Sequence, residues 1–113
     1  MPDLLARVAI IVTPREPFLK WIRNDLGGKE PFAADEEDER RTIYLLPPFT
    51  VTADTFPFVR THSEEIFALE LSQWNEDKRR WPKDRSYSML TEWFEIEVTS
   101  MVWDLAKEPL RYL

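Results

Sequence analysis

Phe94, Ile96 and Val98 alternate with Trp93, Glu95 and Glu97, and that two-residue period belongs to a strand with one face buried and the other wet. Such a strand cannot stand alone. It commits the chain to a sheet whose apolar face is covered by a second layer. The strand is expected over 95–105, but its alternation fails beyond Thr99, where Met101, Val102, Trp103 and Leu105 are apolar on both faces.

Two further runs have strand character. Residues 8–12 are β-branched and bounded by Thr13-Pro14, with Val8, Ile10 and Val12 sharing one face. Residues 42–46 (Thr-Ile-Tyr-Leu-Leu) are closed by Pro47-Pro48. Between the strands the apolar residues recur at helical spacing. Phe18, Trp21, Ile22 and Leu26 mark one helix, with Thr13 as cap, Pro14 at its first position and Gly27-Gly28 as its stop. Val59, Ile66, Phe67 and Trp74 mark a long second helix over 54–75, interrupted only if Pro57 falls outside its first turn. Asp84 is placed to cap a third helix that runs to Phe94, with Tyr87, Leu90 and Phe94 facing inward. The order β-α-β-α-α-β predicts an α+β fold: a small three-stranded sheet with helices packed on one face. At 113 residues, 43% of them apolar and 13% aromatic, the chain makes one domain spanning residues 1–113 with material for a core. Residues 30–41, six acids followed by Arg40-Arg41, read as a solvated loop and the most exposed segment, with a docking patch for a basic partner as the second reading.

Charge and cysteine content exclude several function classes. A net charge of −6 repels nucleic acid and anionic membranes. With no cysteine there is no disulfide scaffold, thiolate metal site or cysteine nucleophile, and the expected compartment is the reducing cytoplasm. The apolar stretch at 4–12 is broken by Arg7, too short to span a membrane, and lacks the marks of a signal peptide. With two glycines, both at one helix end, a phosphate-cradling loop is not expected, and no dinucleotide, P-loop or nucleophile-elbow fingerprint occurs. No cofactor is implied.

The Ile43-Tyr-Leu-Leu-Pro47 strand, Glu-Leu-x-x-Trp at 70–74, Trp-Pro-x-x-Arg at 81–85, Glu-Trp-Phe-Glu-Ile-Glu at 92–97 and Ser-Met-Val-Trp-Asp-Leu at 100–105 together resemble a family of small bacterial proteins known only as hypothetical. The resemblance covers most of 42–105. It implies a bacterial cytosolic domain and carries no activity, so no functional residue comes with it.

Glu70 is the most unusual side chain, because helical spacing puts a carboxylate on the Ile66/Phe67/Trp74 face. A buried carboxylate must be paired or protonated, and Arg85, whose fork can bind it with two hydrogen bonds, is the expected partner. The structural reading is an ion pair tying the helix to the next segment. The functional reading makes Glu70 a general acid or base in a pocket walled by Trp74, Trp81 and Trp93 with Arg85. His62, the only histidine, aligns with Glu65, Ile66 and Leu69, which gives it at most one carboxylate neighbour and argues against a metal site. Residues 75–85 interleave five basic residues with Trp81, a pattern also used to stack single-stranded nucleic acid. The net charge favours instead a solvated connection whose tryptophans fold back on the core.

The second face of the sheet is expected to carry Ala9, Ile11, Tyr44, Leu46, Met101 and Trp103, which is more apolar than a solvated face. Two covers are open: the C-terminal segment with Leu110, Tyr112 and Leu113, or a second subunit, in which case the chain is a homodimer or binds a protein partner. Function is thereby expected to be interaction or self-association rather than catalysis, with the Trp-lined pocket as the alternative.

Overall fold

The structure, a computed structural model, describes residues 3–25, 41–48 and 54–113. The order is β1 (Asp3–Leu4), β2 (Val8–Pro14), α1 (Glu16–Asp25), β3 (Thr42–Leu46), α2 (Thr55–Thr61), α3 (Ser63–Ser72), a 3-10 turn (Lys78–Arg80), α4 (Tyr87–Trp93), β4 (Phe94–Thr99) and β5 (Trp103–Asp104). This is the expected α+β fold. The central strand β2 pairs antiparallel with β3 on one side and β4 on the other. The acidic stretch at 30–40 and Gly27-Gly28 lie outside the described residues.

Opposed residues in an antiparallel pair share a face. Ile10 lies opposite Tyr44 and Val98, and Val12 opposite Thr42 and Ile96, so the inner face carries Val8, Ile10, Val12, Tyr44, Leu46, Phe94, Ile96 and Val98. Against it pack Phe18 and Ile22 of α1, Val59 of α2, Ile66, Phe67 and Leu71 of α3, and Leu90 and Trp93 of α4. Five aromatic rings link the layers. Phe18 stands 4.7 Å from Phe94 and 6.1 Å from Trp93, and Phe67 5.4 Å from Trp93, between ring centroids. These are the tilted and edge-on arrangements that ring quadrupoles favour.

Several boundaries differ from expectation. β2 runs through Thr13 and Pro14, which pair with Glu95 and Phe94, so neither opens the helix. The chain turns instead at Arg15, whose carbonyl accepts from the amides of Phe18 and Leu19, and Pro17 sits harmlessly in the first turn. The long second helix is two helices broken at His62, not at Pro57. There the backbone leaves helical geometry (φ −103°, ψ 15°), and the imidazole bonds the Phe58 carbonyl at 2.9 Å and stacks on the Phe58 ring. Ser86, not Asp84, caps α4 by accepting from the Met89 amide, while Asp84, two residues earlier, accepts from the Ser86 amide. Ser86→Ala is expected to cost about 1 kcal/mol, read as a fall of roughly 4 °C in Tm; no measurable fall would mean that Asp84 substitutes as the cap.

The last strand is two strands. β4 ends at Thr99, a bend follows at Ser100, and β5 pairs with β1 in a separate ribbon. Five residue steps lead from Leu4 to Ala9 but four from Trp103 to Thr99, so the ladder resumes one residue out of step. Such a slip is a bulge, its extra residue lying in the Leu4–Ala9 segment, while alternation stops at Thr99 because β4 ends there and β5 belongs to a separate pair.

Candidate functional site

Glu70 is buried, at 4% exposure, as its spacing predicts, but its partner is not Arg85. The Tyr44 hydroxyl donates to Glu70 Oε2 at 2.6 Å, and the Thr42 side chain donates a second hydrogen bond. Both donors stand on the inner face of β3, under the last turn of α3. Burial pushes the Glu70 carboxyl above its ordinary value, and the two hydroxyl donors pull it only part of the way back. Burial and the neighbouring Glu70 carboxylate push the Tyr44 phenol well above the ordinary tyrosine value, so it remains a donor at every physiological pH.

Arg85 lies elsewhere. It donates to Glu64 Oε1 at 3.3 Å and to the Pro82 carbonyl at 2.8 Å, and stacks 5.8 Å over the Trp81 ring. Glu64 and Glu70 are six residues apart on one helix, about 120° around its axis, so Arg85 and the sheet each meet one of them. The expected Glu70–Arg85 pair is therefore not formed.

Nor do the three tryptophans open a pocket. Trp93 was expected on the polar side of the last strand; it is the final residue of α4, 9% exposed and enclosed by Phe18, Trp21 and Phe67. Trp74 and Trp81 are half-buried against the core, with the Trp81 indole nitrogen donating to the Asn75 carbonyl at 2.7 Å. The Trp21 indole donates to the Arg80 carbonyl at 3.0 Å. In the same connection Asp77 holds Arg79 through its side chain and amide, which keeps the Asp77 carboxyl below the ordinary range. The segment at 75–85 is thus pinned to the core, with Trp81 acting as a lid.

A cleft that the sequence reading missed lies along β3. About 200 Å³ in volume, it is lined by Tyr44, Leu45, Leu46, Phe58, His62, Glu65, Ile66 and Leu69. The volume is below the roughly 300–1,000 Å³ of small-ligand pockets and suits one or two side chains. Aromatic and aliphatic walls with a single carboxylate favour an organic cation carried on an apolar chain. Among the described residues no three histidine, aspartate or glutamate side chains converge as metal ligands.

The outer sheet face also needs correction. Tyr44 and Leu46 belong to the inner face, because they oppose Ile10 and Val8. In their place Ile43 and Leu45 point outward, 64% and 48% exposed, beside half-buried Ile11 and buried Ala9. Met101 and Trp103 are exposed as expected, but on the stretch beyond the bend, where Trp103 opposes exposed Leu4. The C-terminal segment does not cover this surface, since residues 105–113 are exposed throughout and Tyr112 is 96% exposed.

Compared with protein-family models, curated proteins and solved structures, the chain shows no significant match to any. No described helix is long and apolar enough to cross a membrane.

Proposed function

We propose that the chain is a non-enzymatic self-association domain of the bacterial cytosol, a homodimer joined through the outer side of the β3-β2-β4 sheet and the adjoining β1-β5 ribbon. The observation that carries this reading is the set of exposed apolar side chains: Ile43 and Leu45 on the edge strand, Met101 after the bend, and Leu4 and Trp103 on the ribbon. Soluble monomers rarely expose a contiguous apolar patch beyond about 300–600 Å², and Trp and Met are among the residues enriched at interfaces. The charges suit a two-fold contact: Arg7 is exposed near one end of the outer face and Glu95 and Glu97 are exposed along β4, so each copy offers both signs. Two observations speak against the competing classes. Trp93 packs between Phe18 and Phe67 and Trp81 is held to the Asn75 carbonyl, which speaks against a pocket walled by these tryptophans. The cations Arg79 and Arg85 are engaged by Asp77 and Glu64, which weakens the connection as a nucleic-acid platform.

Light scattering at rising concentration tests the reading. The chain is expected to run as a dimer at high micromolar concentration, and Ile43→Glu to weaken association by about 2 kcal/mol or more, the loss typical of an interface hot spot. Folding should be nearly untouched, within about 0.5 kcal/mol, since the position is exposed. A wild type that stays monomeric throughout overturns the proposal.

A further inference from the structure

Two features of the fold, each without a strand partner among the described residues, are complementary. The first is the β3 edge with its cleft. Among the described residues β3 bonds only to β2, and within them its other row of backbone groups is a template for a further strand. An added strand would set alternate side chains into the Tyr44/Phe58/Leu69 cleft and against Ile43 and Leu45 on the outer side. The second feature is the C-terminal arm. Residues 105–113 form no helix or strand and are exposed throughout, yet Leu105, Leu110, Tyr112 and Leu113 are apolar.

We infer that the arm of one copy adds to the β3 edge of a second copy, reciprocally across a two-fold axis, with Arg111 and Leu113 entering the partner's cleft. The inference rests on the self-association reading above and names the segment that performs it. Period two does the sorting. Arg111 and Leu113 share one side of the extended arm and meet Glu65, Phe58 and Leu69. Leu110 and Tyr112 share the other and cover Ile43 and Leu45. The charges agree, because Glu65 is the carboxylate of the cleft lining, whereas the arm offers Lys107 and Arg111. Arg111 now bonds Glu108 at 3.2 Å, both side chains exposed, a contact of the kind that is surrendered at little cost. Pro109 precedes the pairing residues and so removes no ladder bond.

β5 follows β4, on the side of β2 opposite β3, so the arm's own cleft lies across the width of the sheet, about 10 Å at the spacing of paired strands. The nine residues 105–113 reach roughly 30 Å when extended, so length permits either cleft, and the self-association reading selects that of a second copy. Reciprocal exchange of identical segments is an economical route to a dimer. It would be read by main-chain pairing for affinity and side-chain pockets for choice of partner.

Truncation after Leu105, removing residues 106–113, tests the inference together with a synthetic peptide of residues 104–113. The truncated chain is expected to be monomeric with an unchanged circular dichroism spectrum, because the arm adds nothing to the core. The peptide should bind it. Glu65→Arg in the truncated chain should weaken that binding about tenfold or more, and Arg111→Glu in the peptide should restore it. A truncated chain that still dimerises, while Ile43→Glu separates it, overturns arm exchange and leaves the face-to-face reading standing. Peptide binding that is absent, or indifferent to the charge swap, overturns the placement in the cleft. A full chain that is monomeric but whose truncated form binds peptide means docking within one chain, which overturns exchange and self-association together.

Discussion

Phe67→Ala is expected to cost about 3–5 kcal/mol, the range for removing a large aromatic from a core, against a total stability of about 5–15 kcal/mol for a domain. Phe67 has no exposed surface. It stands 5.4 Å from Trp93 and 5.6 Å from Phe94 between ring centroids, where α3, α4 and the first residue of β4 meet. Its removal leaves a cavity between helix and sheet that the flat rings around it cannot readily collapse to fill. The same ring also joins elements far apart in sequence, so its loss weakens the docking of α3 and α4 together. Urea unfolding should show a lower midpoint with an unchanged slope, the signature of lost stability rather than of a changed unfolded state. Lys83→Ala is the control, expected to shift stability by less than about 0.5 kcal/mol because the side chain is exposed. A Phe67→Ala loss below about 1 kcal/mol would mean that the helical layer is not packed as described.

The position of Phe67 was legible in the sequence, and so was most of the core. Phe18 and Ile22, Val59, Ile66 and Phe67, Leu90, and the inner residues of β4 all follow from period, because in each segment one face is clearly more apolar than the other. β3 is the opposite case. Ile43, Tyr44, Leu45 and Leu46 are apolar on both faces, so alternation cannot decide which pair looks inward, and only pairing with β2 does. Trp93 was misplaced for a related reason. α4 passes into β4 with no connecting loop, so the last helical residue reads equally well as the first of the strand. The break at His62 depends on an imidazole bonding a carbonyl one turn back, a local competition with the helix that no periodicity records. For the candidate site the burial of Glu70 was readable and its partner was not. Spacing tells which side of a helix faces the core, whereas the partner depends on which strand lies beneath it.

Glu70 should therefore leave a pH signature of its own. Burial raises its folded-state pKa above the ordinary value of about 4.3 that the unfolded chain keeps. In the window between those values the folded state holds the proton more tightly than the unfolded state does. The stabilisation from this group is thus full below the unfolded value, and it is lost as pH rises through the folded one. Above the folded-state value the fold carries a buried carboxylate supported by two hydroxyl donors, which offset part of its desolvation. Glu70→Gln keeps an acceptor for Tyr44 without the charge. It is expected to match or exceed wild-type stability at pH 7 and to lose its advantage toward pH 4. Tyr44→Phe removes one of the two donors, and a hydrogen bond to a charged group contributes about 1.5–3 kcal/mol. That loss should be largest at pH 7 and shrink in acid, where the carboxyl is protonated. Glu70→Ala leaves the Tyr44 hydroxyl without its acceptor, a cost of about 1–3 kcal/mol with a cavity added, and it should destabilise at every pH. Urea midpoints for the three variants at pH 4, 5.5 and 7 separate these effects. If the difference between wild type and Glu70→Gln is flat across that range, Glu70 titrates alike in the folded and unfolded chains. The carboxylate would then be solvated rather than held by Tyr44 and Thr42 beneath α3.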